Sequence, residues 1–102
     1  MIGIDLFAGA GGFTEGARMA GVHVAYAANH WPLAGSFHRA NHPETRTDCQ
    51  DVQQADWRRV PCHDVQLASP ACQGHTPARG KERPYHDALR STAWAVVSCA
   101  EY

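Results

Sequence analysis

The chain has 102 residues, of which 44% are apolar and 19% charged, and ten acidic against nine basic residues leave a net charge of −1. This composition fits one small globular domain with a modest core and excludes the basic footprint of a free-standing nucleic-acid-binding protein. No stretch approaches the roughly 18 apolar residues of a membrane span, and residues 1–12 lack the features of a signal peptide. We therefore expect a cytoplasmic protein whose four cysteines are free thiols.

The first half of the chain predicts two strands, each followed by a helix. Residues 2–7, IGIDLF, predict a short buried strand that ends in the glycine-rich turn AGAGG. The helix predicted over 13–21 would bury Phe13, Ala17 and Ala20. Residues 22–28 predict a second strand, and Pro32 would start a second helix that buries Leu33, Phe37 and Ala40.

The second half is less regular. Residues 44–62 are polar and ambiguous, and 64–68 predict a further strand. From residue 86 to the end, helical spacing is kept by Leu89, Ala93, Val96, Val97 and Ala100. Alternating strands and helices predict an α/β fold with a mostly parallel sheet and flanking helices. Only three or four strands are found where open sheets usually have about five or six. We therefore expect the first part of a larger domain.

The turn in DLFAGAGGF contains Gly9, Gly11 and Gly12 between a strand and a helix. Glycines there permit positive φ and let a ligand approach the backbone at a helix N-terminus, although a plain tight turn has the same pattern. The turn is not a nucleoside-triphosphate loop, because no Gly-Lys-Ser/Thr follows. Thr14 occupies the third glycine position of the dinucleotide fingerprint, which is therefore not matched either.

The stretch SPACQGHTPARG, residues 69–80, places Cys72 in a loop after the last predicted strand. From this stretch alone, the cysteine could be a nucleophile, a redox partner, a buried side chain or a metal ligand. Cys62, His63 and His75 would supply the other metal ligands, but a second half with proper zinc spacing is missing. We expect no metal site, and we expect the other three cysteines to be small, partly buried side chains.

Four motifs together resemble the DNA cytosine-5 methyltransferases: DLFAGAGGFTEGARMAG, ANHWPLA, QDV and SPACQGHT. The resemblance implies a partial Rossmann-like fold of the S-adenosylmethionine (AdoMet)-dependent methyltransferases. It implies that Trp31 packs on adenine, that Asp51 accepts from the adenine amine and that Val52 forms a hydrophobic wall. His30 stands where the family usually has the acid that binds the ribose. The AdoMet contacts implied in this way are Phe7, Ala8, Gly9, Gly11, Gly12, His30, Trp31, Asp51 and Val52.

The same resemblance makes Cys72 the catalytic nucleophile, which attacks C6 of a flipped-out cytosine so that C5 can accept the methyl group. Ala71 replaces the proline that the family normally has directly before this cysteine. Gln73, His75 and Thr76 stand where family members contact DNA.

The resemblance also implies a domain organisation. Residues 1–102 correspond to the N-terminal part of the catalytic domain, with AdoMet-binding motifs within 5–52, the cysteine loop at 69–80 and no target-recognition domain. The family's Glu-Asn-Val motif is absent. DNA is the expected partner, together with a missing C-terminal portion or a complementing subunit, and a restriction-modification role is implied. The alternatives are a non-catalytic AdoMet-binding remnant or split subunit, and an RNA cytosine-5 methyltransferase.

Overall fold

A computed structural model of the chain describes residues 1–52, 56–70 and 92–102. No helix in these three ranges is long and apolar enough to cross a membrane. A 3-10 turn, Trp57–Arg59, lies between the third and fourth strands. In chain order the strands and helices are β1 Ile2–Leu6, α1 Gly12–Met19, β2 His23–Asn29, α2 Pro32–Asn41, β3 Arg46–Cys49, β4 Val65–Ala68 and α3 Thr92–Glu101.

The described strands form one parallel sheet in the order β3-β2-β1-β4. The register pairs Leu6 with Ala28 on one side and with Ala68 on the other, and it pairs Ala28 with Asp48. All four strands therefore end at the same edge. The predicted parallel α/β architecture is confirmed, and β3 lies inside the segment that the sequence left ambiguous.

One face of the sheet is apolar and carries the main core. Ile4 and Leu6 of β1 are fully buried there together with Tyr26 of β2, and Ala95 and Cys99 of α3 belong to the same cluster. Side chains of a strand alternate between the two faces, so Asp5 projects to the opposite face.

The opposite face is covered by α1 and α2 and is unexpectedly polar. Asp5 contacts Thr14 of α1, and Thr47 of β3 contacts His38 of α2. The residues of the two helices that are buried on this side are small or polar: Thr14, Ala17, Ala34, Gly35 and His38.

This polar face explains why the predicted inner faces of α1 and α2 are wrong. Phe13, Leu33 and Phe37 are about half exposed, and Ala20 and Ala40 are exposed as well. A helix that packs on carboxyl and hydroxyl groups gains more by burying groups that can hydrogen-bond to them than by burying large apolar side chains. Ala17 is the one predicted position that is buried.

The third helix and the cysteines also differ from expectation. In α3 the buried positions are Ala95 and Cys99, whereas Val97 and Ala100 are exposed. The three described cysteines are free thiols, as predicted. Cys49 and Cys62 are exposed rather than partly buried, because they follow the end of β3 and precede β4 instead of lying within the sheet.

Candidate cofactor site at the carboxyl ends of the strands

The loops after β1, β2 and β3 carry predicted site residues, and all three leave the sheet at the edge where the strands end. The backbone N–H of Ala8 donates to the carbonyl oxygen of Ala28 at 3.0 Å, so the first loop continues the β1–β2 pairing by two residues. The N–H of Gln50 donates to the carbonyl oxygen of Asn29 at 2.9 Å in the same way. In open parallel sheets, ligands bind in the crevice outside the carboxyl ends of the strands.

The loop after β1 is wound in a left-handed conformation. Phe7, Gly9 and Gly11 have φ values of 59°, 58° and 106°, and the N–H of Gly11 donates to the carbonyl oxygen of Ala8 at 3.2 Å. Positive φ at the non-glycine residue Phe7 costs on the order of 1–3 kcal/mol, and such strain concentrates at functional sites. The turn delivers the chain into α1 at Gly12.

The three glycines of the turn serve different purposes. A Cβ built on Gly11 would lie 2.8 Å from Nδ1 of His42 and 3.0 Å from Cδ2 of His38, so Gly11 is required for packing. At Gly9 and Gly12, no heavy atom of the described residues lies within 4 Å of such a Cβ. Among the described residues, Gly9 and Gly12 therefore leave the outer side of the turn open.

A pocket of about 450 Å³ opens beside this turn. It is lined by Ala10, Gly11, Gly12, Glu15, Asn41 and His42. The first turn of α1 forms part of its wall, where backbone N–H groups lack partners within the helix. The turn therefore combines open space with hydrogen-bond donors.

The loop after β2 places His30 and Trp31 on the surface. Trp31 is 56% exposed and directly precedes α2, with Pro32 at the first helical position, as predicted. The carbonyl oxygen of His30 lies 3.6 Å from the thiol of Cys49, which links this loop to the end of β3. Both predicted contact residues are therefore accessible at the carboxyl edge of the sheet.

The loop after β3 separates its two predicted residues. Asp51 is exposed, whereas Val52 is 2% exposed and belongs to the main core cluster. Tyr26 of β2 holds this loop by two hydrogen bonds: its hydroxyl accepts from the Gln50 amide at 2.6 Å and donates to Asp48 at 3.0 Å. The pKa of Tyr26 is raised to about 12 by burial and by the charge of Asp48.

The cysteine loop begins at Ser69 and Pro70. The N–H of Ser69 donates to the carbonyl oxygen of Leu6 at 3.3 Å, which brings the start of this loop beside the glycine turn. The predicted nucleophile and DNA contacts, Cys72, Gln73, His75 and Thr76, lie outside the described residues.

Sequence analysis missed a group of buried polar residues under the glycine turn. The hydroxyl of Thr14 donates to Oδ2 of Asp5 at 2.7 Å and lies 3.1 Å from Nε2 of His38. The other ring nitrogen of His38 lies 3.2 Å from the hydroxyl of Thr47. The available signal was an aspartate inside a strand that is otherwise apolar, since a buried acid needs a partner.

Burial is the largest cause of the pKa shifts of Asp5 and His38. Desolvation raises the pKa of Asp5, while the Thr14 hydroxyl and backbone N–H and the nearby His42 lower it. The pKa of His38 is lowered by burial and by His42. On the surface beside the group, Arg18 and His42 hold the pKa of Glu15 down at about 2.

These observations define the chain as an α/β protein with a glycine-rich turn at the carboxyl edge of a parallel sheet. The family follows from comparison with known sequences. A model of the C-5 cytosine-specific DNA methylases matches residues 1–99, so the chain belongs to this family.

Individual relatives agree with this assignment. The chain is 35% identical over 79 residues to the type II methyltransferase M.AgeI of Thalassovita gelatinovora, a match that covers 70% of this chain and 18% of the relative. It is 33% identical over 97 residues to the type II methyltransferase M1.HphI of Haemophilus parahaemolyticus, covering 86% and 25% respectively. The chain therefore spans about a fifth to a quarter of the curated relatives that it matches.

Solved structures show the same fold. A DNA modification methyltransferase encoded within an E. coli prophage superposes with a TM-score of 0.76 at 25% identity, covering 99% of this chain and 29% of that one. A Dnmt2 methyltransferase of Spodoptera frugiperda gives 0.71 at 23% identity, with 99% and 31% covered. The predicted partial Rossmann-like methyltransferase fold is thereby confirmed.

Proposed function

We propose that this chain is the N-terminal, cofactor-binding part of a DNA cytosine-5 methyltransferase, which transfers a methyl group from AdoMet to C5 of cytosine. The observation that carries the proposal is the left-handed glycine turn, which is open over Gly9 and Gly12 at the carboxyl edge of the sheet. An amino-acid carboxylate fits such a turn, because the N–H groups of Gly12 and Phe13 have no partner within α1.

The surrounding residues fit the rest of AdoMet. Phe7 and Ala8 would line the methionine part together with the glycines, and the exposed indole of Trp31 offers an aromatic face for adenine. Asp51 would accept from the adenine amine and His30 would contact the ribose. Val52 would support the adenine from its position in the core. AdoMet supplies the activated methyl group when bound.

Cys72 would supply the nucleophile. Its thiolate adds to C6 of the flipped-out cytosine, which makes C5 electron-rich enough to take the methyl group from the sulfonium of AdoMet. C5 then loses its proton and the thiolate leaves C6, which gives 5-methylcytosine and S-adenosylhomocysteine. Gln73, His75 and Thr76 would contact DNA around the flipped base.

Site selection and full activity would require further polypeptide. The matched parts make up 18% and 25% of these relatives, and a target-recognition region belongs to the remainder by the family resemblance. The chain has a net charge of only −1, so most phosphate contacts would also come from elsewhere. We propose that residues 1–102 act with this remainder, either on the same polypeptide or as a complementing subunit.

Calorimetric titration of the full 102-residue chain with AdoMet tests the cofactor part of the proposal. Gly12→Val places a side chain in the open space at the turn and should weaken binding by at least about tenfold, or about 1.4 kcal/mol. Gly16→Val is the matched control, since Gly16 lies one turn further along α1 with equally open surroundings among the described residues. Absence of binding to the wild type at millimolar AdoMet, or equal weakening by both substitutions, contradicts the proposal.

Covalent trapping tests the nucleophile. With AdoMet present, C5 of a 5-fluorocytosine in DNA takes the methyl group but carries fluorine in place of the proton that elimination requires. The adduct with Cys72 should therefore persist, and it should disappear in Cys72→Ala. Cys49→Ala and Cys62→Ala are suitable controls, because both thiols are exposed and would reveal non-specific addition of a thiol to the modified base. Trapping that is unchanged in Cys72→Ala excludes this role, and preferential trapping on an RNA oligonucleotide would replace DNA by RNA as the substrate.

A further inference from the structure

Four buried side chains beneath the glycine turn form a continuous hydrogen-bonded chain. Asp5 Oδ2 and the Thr14 hydroxyl are 2.7 Å apart, and that hydroxyl is 3.1 Å from Nε2 of His38. Nδ1 of His38 is 3.2 Å from the hydroxyl of Thr47. Asp5 and His38 have no exposed surface and Thr14 has 2%. The chain connects β1, α1, α2 and β3, and we call it the Asp5–Thr47 relay.

The relay has one consistent direction. With Asp5 ionised, the single hydroxyl proton of Thr14 goes to Asp5, so the contact between Thr14 and His38 requires a proton on Nε2 of the imidazole. A neutral imidazole protonated there has a bare Nδ1 that can accept from the Thr47 hydroxyl at 3.2 Å, and the same hydroxyl also lies 3.4 Å from the carbonyl oxygen of Thr45. Donation therefore runs from Thr47 through His38 and Thr14 to the carboxylate.

The hydrogen bond between Asp5 and Thr14 spans the glycine turn. Asp5 and Thr14 are nine residues apart, and the chain between them is the glycine turn with Phe7 through Gly12. Their hydrogen bond therefore closes the loop at its base. The ring of His38 also limits the space on the inner side of Gly11, where a Cβ would be 3.0 Å from Cδ2. The relay thus holds both the ends and the inner side of the turn.

We propose that Thr14 and His38 are positioning residues, and that the Asp5–Thr47 relay sets the geometry of the glycine turn for cofactor binding. This inference rests on the proposed AdoMet site for its ligand, but the relay itself is defined without it. Neither side chain touches the outer, open side of the turn. They act through the backbone of residues 7–12.

The surroundings of His38 lower its pKa, which favours the neutral ring that this direction requires. Burial and the neighbouring His42, whose ring centroid is 5.1 Å away, lower the pKa of His38. A hydrogen bond with the His38 backbone and, after it, the charge of Glu44 oppose this shift. On the α1 side His42 is itself held by Glu15 at 3.0 Å, and Glu15 is paired with Arg18.

Two substitutions at Thr14 separate the hydroxyl from the shape of the side chain. Thr14→Val keeps the shape and removes the hydroxyl, whereas Thr14→Ser keeps the hydroxyl. Thr45→Val is a matched control, because the Thr45 hydroxyl is also buried and donates to the carbonyl oxygen of Val24 at 2.7 Å, near the opposite edge of the sheet. The measurements are AdoMet affinity, thermal unfolding and the backbone amide resonances of Gly9, Gly11 and Gly12 in the full chain.

Thr14→Val should raise the AdoMet dissociation constant by about tenfold, or about 1.4 kcal/mol, and should shift the three glycine amide resonances. Thr14→Ser should stay within about twofold of wild type, and Thr45→Val should lower the unfolding temperature without either effect. Equal changes in Thr14→Val and Thr45→Val would show a purely structural role and overturn the proposal.

A second measurement needs no variant and no ligand. Imidazole nitrogen shifts of the wild-type chain should show His38 as the neutral ring with its proton on Nε2. A proton on Nδ1, or a charged ring at neutral pH, would overturn the relay. Failure of the wild type to bind AdoMet would contradict the proposed function, while the glycine resonances and the ring tautomer would still decide the positioning role.

Discussion

Substitution of Gly11 by alanine is the sharpest test of the packing under the turn. Gly11 has a φ of 106°, which an L-residue rarely adopts, and the added Cβ would lie 2.8 Å and 2.9 Å from Nδ1 and Cε1 of His42. The ring of His42 cannot easily move away, because its Nε2 is hydrogen-bonded to Glu15 at 3.0 Å. The Cδ2 atom of His38, at 3.0 Å, is also fixed through its contact with Thr14.

The expected cost has two parts. A positive φ at a non-glycine residue costs about 1–3 kcal/mol, and overpacking of a buried site by one methyl group costs about 1–3 kcal/mol more. We therefore expect Gly11→Ala to lower the free energy of unfolding by about 2–6 kcal/mol, which is a large part of the 5–15 kcal/mol that is typical of a small domain.

The neighbouring glycines are internal controls for this estimate. Gly9→Ala carries only the cost of positive φ, because its surroundings in the described structure are open. Gly12→Ala has neither cost and should be neutral or stabilising by up to about 1 kcal/mol, since Gly12 is the first residue of α1. Urea unfolding followed by circular dichroism measures all three. A Gly11→Ala midpoint within error of the Gly12→Ala midpoint, at equal slope, would refute the packing argument.

Three further predictions concern titrating groups. His38→Gln should reduce the loss of stability that the wild type shows below pH 6.5. The pKa of His38 is lowered in the folded chain, so the unfolded chain binds an extra proton in this range. In chemical unfolding, this group makes the unfolding free energy of the wild type change by at most about 1.4 kcal/mol per pH unit. Glu15→Gln should remove part of the loss of stability between pH 4.5 and about 2, where the lowered pKa of Glu15 makes the wild type sensitive to acid in thermal melts. Tyr26→Phe should abolish a phenolate absorbance step near pH 12 and cost about 1–2 kcal/mol in unfolding free energy, since two hydrogen bonds are lost.

The sequence predicted those parts of the fold that depend on local pattern. The strands β1, β2 and β4, the glycine turn and the start of α2 at Pro32 all follow from residue type and short-range spacing. The positions of Trp31 and Asp51 on the surface at the strand ends follow from the parallel topology. The open space at Gly12 is consistent with the ligand contact that the motif implied.

The buried face of α2 could not be predicted in the same way. The pattern of Leu33 and Phe37 favours an apolar inner face, but Thr47, the strand residue that this helix contacts through His38, is polar. Which face is buried therefore depends on Thr47, nine residues after His38, and on the alternation of side chains along β1. That information is tertiary, and a helical period within one segment does not contain it.

The two faces of the sheet contribute to the domain in different ways. The face of Ile4, Leu6 and Tyr26 is apolar and stabilises the fold by burial, which is non-directional and tolerates small shifts. The face of Asp5 carries hydrogen bonds that require defined distances and angles, and these converge on the base of the glycine turn. A buried carboxylate is costly, and Oδ1 of Asp5 accepts no hydrogen bond from the described residues. The presence of Asp5 is therefore difficult to explain by its contribution to stability alone, whereas a role in the precise placement of the turn accounts for it.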